Sequence, residues 1–102
     1  MAFPQAFLDE LKNRSEIISV ISSYVNLRRS SRNLVGLCPF HSEKTPSFTV
    51  FPETQSYYCF GCGAGGDVIT FVRNIENLDY PEAVRFLAQR AGMTVPENGE
   101  DD

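Results

Sequence analysis

The stretch Cys38-Pro39-Phe40-His41-Ser42-Glu43-Lys44-Thr45-Pro46-Ser47-Phe48-Thr49-Val50 decides how the chain is read. It holds one of only three cysteines and, three places on, the only histidine. A Cys and a His separated by two residues fit one tight turn and can aim at a common centre, which is half of a four-ligand zinc site. The other half lies at Cys59-Phe60-Gly61-Cys62, again two ligands with two residues between them. The pattern C-x2-H, seventeen residues, C-x2-C uses every cysteine and the histidine. It points to one structural zinc in a tetrahedral Cys3His site formed by Cys38, His41, Cys59 and Cys62.

Two plainer readings fit less well. A thioredoxin-like redox pair at Cys59 and Cys62 would follow a strand in a βαβ pattern and would leave Cys38 and His41 without a role. A disulfide framework is disfavoured by an odd cysteine count and by an N-terminus, MAFPQAFLDELK, without the basic-then-apolar order of a secretory signal. Thiolate ligands suit a reducing compartment, so a cytoplasmic location is expected. No apolar run approaches the roughly eighteen residues of a membrane helix, and no membrane partner is expected. At 102 residues the chain has room for one domain with a modest core, which a metal would staple.

An enzymatic alternative starts from His41-Ser42-Glu43, which is literally H-x-E and, with C-x-x-C downstream, matches much of the zinc deaminase signature. That signature needs Pro before C-x-x-C and helices carrying both motifs. Here Tyr58 precedes Cys59, and Pro46 interrupts the first helix. With Cys38 as a fourth protein ligand, no position is left for a reactive water.

The net charge is −4, yet residues 26–50 carry +3 and the remainder −7. The basic centre is Arg28, Arg29, Arg32 and Lys44. The acidic charge gathers at Asp9, Glu10, Glu16 and the tail PENGEDD, so 97–102 is expected to be an acidic flexible tail or linker after a domain spanning 1–96. By itself LRRSSR reads equally well as a solvated hairpin. Its position before the first metal turn, with Phe48, Phe51, Tyr57, Tyr58 and Phe60 between the two turns, suits single-stranded nucleic acid: cations meet phosphates and rings stack on unpaired bases. In a sheet, Phe48 and Val50 would share one face, with Thr49 and Phe51 on the other.

Helical spacing of Phe3, Phe7, Leu8 and Leu11 predicts a first helix, and Ile17, Ile18, Ile21, Tyr24 and Val25 a second with Ser15 as its cap. The segments VNLRR, NLVGL, SFTVF and QSYYC read as an antiparallel sheet. The stretch GAGGD reads as a flexible entry to a helix capped by Asp67, with Val68, Ile69, Phe71, Val72 and Ile75 inward. A last helix has Pro81 in its first turn, Val84, Leu87, Ala88 and Ala91 as its apolar stripe, and Gly92 at its end. The fold class is therefore α+β.

CPFHSEKTPSFTV, then YYCFGCGAGGD, then a helix ending LAQRAG, resembles the N-terminal zinc-binding domain of bacterial DNA primases of the DnaG kind, from about Phe7 to about Pro96. The resemblance implies a zinc ribbon packed with short N-terminal and C-terminal helices. It implies that this domain contacts the single-stranded DNA template and helps choose the primer start. A separate RNA polymerase domain of the same primase would join the nucleotides. The short acidic stretch after Pro96 could not supply the paired carboxylates and metal ions that join nucleotides, so the 102 residues alone are expected to be non-catalytic. The family's basic sheet positions fall on Arg28, Arg32 and Lys44, with Asn33, Ser47 and Tyr57 as neighbours. Ser31 stands where the family often has glycine, and Leu34 where it often has an aromatic residue. A module that docks the polymerase domain or a replicative helicase without touching DNA is the alternative function.

Overall fold

The computed structural model describes residues 3–41 and 44–95. The expected acidic tail at 97–102 and Glu43 of the H-x-E reading lie outside the described residues. Two short helices open the chain, α1 (Gln5–Arg14) and α2 (Ile17–Ser22). Five antiparallel strands follow in sequential order: β1 (Arg28–Ser30), β2 (Asn33–Gly36), β3 (Phe48–Phe51), β4 (Ser56–Cys59) and β5 (Gly65–Asp67). Helices α3 (Val68–Glu76) and α4 (Tyr80–Ala91) complete the fold. Among the described residues, no helix is long and apolar enough to cross a membrane.

Phe7 and Leu11 of α1 and Ile17 and Ile21 of α2 are buried as the spacing predicts, joined by Val20, whereas Tyr24 lies beyond the end of α2 and is exposed. The cap of α2 is shifted by one residue. The Ser15 amide donates to the Lys12 carbonyl to close α1, so Ser15 is buried in the hinge. The Glu16 carboxylate accepts from the Ser19 amide and caps α2 instead. Gln55 ties this helix start to the sheet, its side-chain carbonyl accepting from the Ile17 amide at 2.9 Å.

All four expected strand segments are present, and the glycine-rich stretch adds a fifth. Gly65–Asp67 is an edge strand on β4 rather than a loose entry to α3. Glycine at position 66 is required on two counts: φ is +150°, and a Cβ would lie 2.8 Å from Thr70. Strand and helix therefore join without a loop at Asp67, whose carboxylate accepts from the Thr70 amide at 2.9 Å. Helix α4 begins with a capping box in which Asp79 and Glu82 satisfy each other's backbone amides, and Gly92 ends it.

Register assigns each strand residue to a face. Arg29, Leu34, Val50, Tyr57 and Gly66 form one row across the sheet, and Arg28, Val35, Thr49, Tyr58 and Gly65 form the opposite row. The first face packs on the helices. Phe48 stacks on Tyr57 with ring centroids 5.4 Å apart, and Phe71 of α3 meets Tyr57 edge-on at 5.5 Å. Phe40, from the first metal turn, joins the same aromatic cluster, 5.7 Å from Phe71. Ser31 takes the hairpin turn at φ +61°, the left-handed conformation that glycine adopts more easily.

Asp67 joins sheet, α3 and α1, since its carboxylate also lies 3.4 Å from Lys12 Nζ. Burial alone would raise its pKa, but the Thr70 amide and hydroxyl and the Lys12 ammonium outweigh that and hold it below the usual carboxylate value. A carboxyl depressed on folding stabilises the native state above its unfolded value and loses that contribution as pH falls through the folded one. Asp67→Ala should therefore lower the stability of the zinc-loaded chain by about 1 kcal/mol at neutral pH, read by urea unfolding, with Asp67→Asn nearer the parent. The deficit should narrow at acidic pH.

Candidate metal centre and basic face

The meander brings the two ligand turns together. β2 and β4 both flank β3 and run in the same direction, so that Gly36, Phe48 and Cys59 lie side by side at one end of the sheet. Cys38 follows two residues beyond Gly36, and Cys59 is itself the last residue of β4. The second turn closes tightly: the Cys59 amide donates to the Ala64 carbonyl at 2.7 Å, and the Gly63 amide donates to the Cys59 carbonyl at 2.8 Å.

One ligand atom from each of Cys38, His41, Cys59 and Cys62 lies within 4.8 Å of all the others. The Sγ atoms of Cys38 and Cys62 are 3.8 Å apart. That is far beyond a disulfide bond of about 2.05 Å. It equals the edge of a tetrahedron whose zinc–sulfur arms are about 2.3 Å, roughly 3.8 Å. His41 Nδ1 is shielded from solvent at the same site. The donors thus fit one zinc ion, closed by four protein ligands. That arrangement leaves no place for the water a deaminase would activate.

The shell around the sulfurs favours thiolates unevenly. Burial pushes the Cys38 thiol up to about 12, although the Phe40 amide, donating to its sulfur at 3.3 Å, works the other way. Burial would also raise Cys59, but amides from Gly61 and Cys62 and the Ser47 hydroxyl outweigh it and hold that thiol below its ordinary value. Ser47 Oγ lies 3.7 Å from Cys59 Sγ. This serine, which the resemblance set beside the nucleic-acid contacts, thus supports the metal turn.

The basic residues are placed as follows. Arg28 is exposed on β1 in the row away from the helices, and Lys44 is exposed just beyond the first metal turn. Arg32 sits at the tip of the β1–β2 hairpin with its side chain 84% exposed, 3.9 Å from Glu53. Asn33 is half-buried at the start of β2. Tyr57 departs from its expected role as an accessible neighbour. It is 2% exposed, its ring is locked between Phe48 and Phe71, and its hydroxyl accepts from Asn74 Nδ2 at 3.5 Å. Burial raises its pKa.

The accessible rings are instead Tyr58, 41% exposed, and Phe60, 68% exposed, in edge-to-face contact at 4.9 Å. The sequence held a signal for this. Tyr57 and Cys59 share a side of β4, so a buried ligand at Cys59 puts Tyr57 inward and Tyr58 outward.

Comparison with known proteins gives a consistent picture. Residues 3–102 match the family described as the CHC2 zinc finger, the zinc ribbon of the DnaG kind. A DNA primase from Pseudomonas putida is 56% identical over 100 residues, covering 97% of this chain and 15% of that protein. A DNA primase from Halalkalibacterium halodurans is 50% identical over 94 residues, covering 92% of this chain and 16% of the relative. Among solved structures, the Aquifex aeolicus primase, comprising zinc-binding and RNA polymerase domains, superposes with a TM-score of 0.85 at 43% identity, covering 96% of this chain and 24% of that one. The chain therefore spans about a sixth of the length of these curated relatives.

Cobalt substitution offers a direct readout of the thiolate ligands. The parent chain should bind one equivalent, with sulfur charge-transfer absorption and a tetrahedral d–d spectrum. Cys38→Ser should lose most of that affinity and the cooperative unfolding transition. A folded, fully metallated Cys38→Ser variant would show that Cys38 is not a ligand.

Proposed function

The chain belongs to the CHC2 zinc finger family, and from that premise we infer that it is the template-reading domain of a bacterial DNA primase, positioning single-stranded DNA for RNA primer synthesis by a polymerase domain elsewhere in the protein. The observation that carries this reading is that Arg28 and Lys44 line one cleft, while the sheet row that carries Arg28 also carries the exposed Tyr58, with the exposed Phe60 two residues beyond it. Cations of this kind take phosphates, and open rings offer stacking surfaces to unpaired bases.

The division of labour follows from the chemistry of the chain. Cys38, His41, Cys59 and Cys62 would hold the zinc, which clamps the two turns and supplies no reacting group. Arg28 and Lys44 bind and orient the strand by its phosphates. Arg32, on the hairpin tip, approaches from the side and helps select the start site. Asn33 adds a polar contact at the foot of that hairpin. Among the described residues no paired carboxylates stand near this face, and bond formation is assigned to the polymerase domain. The replication fork in the cytoplasm is where such a domain acts.

Few cations imply weak, salt-sensitive binding. With Arg28 and Lys44 on phosphates, the logarithm of the affinity for a short single-stranded DNA should fall with the logarithm of salt at a slope of about −1.4. Lys44→Ala should flatten that slope by about 0.7. Fluorescence anisotropy with labelled DNA measures both. Unchanged affinity after simultaneous Arg28→Glu and Arg32→Glu would instead favour a domain that docks the polymerase domain or a helicase without gripping DNA.

A further inference from the structure

Between the end of α2, the start of β1 and the first metal turn lies a cleft of about 440 Å³. That volume falls in the range of small-molecule sites, roughly 300–1,000 Å³. Its walls combine two kinds of group. Arg28 and Lys44 supply positive charge, and among the described residues neither pairs with a carboxylate. Tyr24, Leu37 and Pro46 supply apolar surface, and Asn26 adds a neutral polar residue to the lining.

The cleft is built rather than incidental. At Gly36 a Cβ would lie 2.6 Å from the Asn26 carbonyl oxygen and 3.0 Å from Val25. Only glycine lets the end of β2 approach the α2–β1 connection this closely, and that approach brings Asn26 and Leu37 to the same opening. Tyr24 is held at two points. Its hydroxyl donates to Glu76 at 2.7 Å, and its ring meets Phe71 edge-on at 5.7 Å. Burial and the Glu76 carboxylate push its hydroxyl up to about 12, so the aromatic wall is neutral at ordinary pH. Leu37, by contrast, is 49% exposed although it is aliphatic and adjoins a metal ligand.

Two cations beside an aromatic and aliphatic wall, with an asparagine in the same lining, match the parts of one nucleotide: an anionic phosphate, a flat ring with an apolar face, and a polar edge. We propose that this cleft holds a single nucleotide, its phosphate between Arg28 and Lys44, its base against Tyr24, Leu37 and Pro46, and its base edge within reach of Asn26. The inference rests on the template-reading function above and adds a seat to it. The register of the strand is set by one nucleotide entering the cleft, while neighbouring bases lie towards Tyr58 and Phe60. The same chemistry could be offered by a nucleotide within the DNA strand or by a free nucleoside triphosphate.

The test is an NMR titration of the 15N-labelled, zinc-loaded chain with a short oligothymidylate and, separately, with ATP. It is repeated on Leu37→Glu and Asn26→Asp, both of which place a carboxylate at exposed cleft positions, with zinc content confirming their fold. The expected result is that Asn26, Gly36 and Leu37 amides shift on ligand addition and that each variant loses about tenfold in affinity. Shifts with ATP identify a free nucleotide as an occupant, and shifts with the oligonucleotide alone identify a strand nucleotide; either supports the cleft. Arg32→Glu, outside the cleft, separates the two levels of the proposal. If it weakens DNA binding while both cleft variants bind as the parent does, the cleft is overturned and the template-reading function stands. If none of the three variants changes binding, both fall.

Discussion

Four side chains from two turns, twenty-four residues apart at their extremes, must meet within a few ångströms for this fold to exist in its present shape. The sheet cannot enforce that meeting alone. Its strands are three or four residues long, and β1 is exposed along its whole length. A metal site with four protein ligands holds the ends of β2 and β4 together beside β3, and in such small domains metal binding free energy becomes folding free energy. The same convergence pulls Phe40 onto the aromatic cluster of Phe48, Tyr57 and Phe71, so that the metal turn is also a piece of the core.

That coupling explains the division of the molecule into two faces. Helices α3 and α4, with α1 and α2, cover the side bearing Phe48, Val50 and Tyr57, where burial supplies stability. The other side keeps Arg28, Tyr58 and Phe60 in solvent. Exposed rings and cations contribute little to folding, and on the proposed function they serve the template strand instead. The chain as a whole is acidic, so the proposed attraction of a nucleic-acid strand to this patch rests on local rather than net charge.

Much of this was legible in the sequence because the signals are local. C-x2-H and C-x2-C name the ligands, the stripes Val68 to Ile75 and Val84 to Ala91 name the helices that cover the core, and Asp67 and Gly92 mark where they start and stop. The misreadings fall where a distant contact overrides a local preference. Gly65 and Gly66 look like a flexible turn, and only pairing with β4 and the nearness of Thr70 make them a strand. Ser15 is the better cap by type, but closing α1 consumes it and Glu16 serves instead. Tyr57 and Tyr58 are chemically alike, and the face each occupies is fixed by the buried ligand beside them. The cleft was invisible, since Tyr24, Arg28, Leu37 and Lys44 are neighbours only after the sheet and metal turn have formed.

The account rests on a closed metal site that shapes the chain without reacting. X-ray absorption at the zinc edge of the loaded chain tests that claim most directly. Three sulfurs at about 2.3 Å and one nitrogen at about 2.0 Å are the shell that Cys38, His41, Cys59 and Cys62 should provide. A shell with only two sulfurs and a solvent oxygen would mean an open, potentially catalytic metal, and the account of a structural clamp beneath a nucleic-acid face would be wrong.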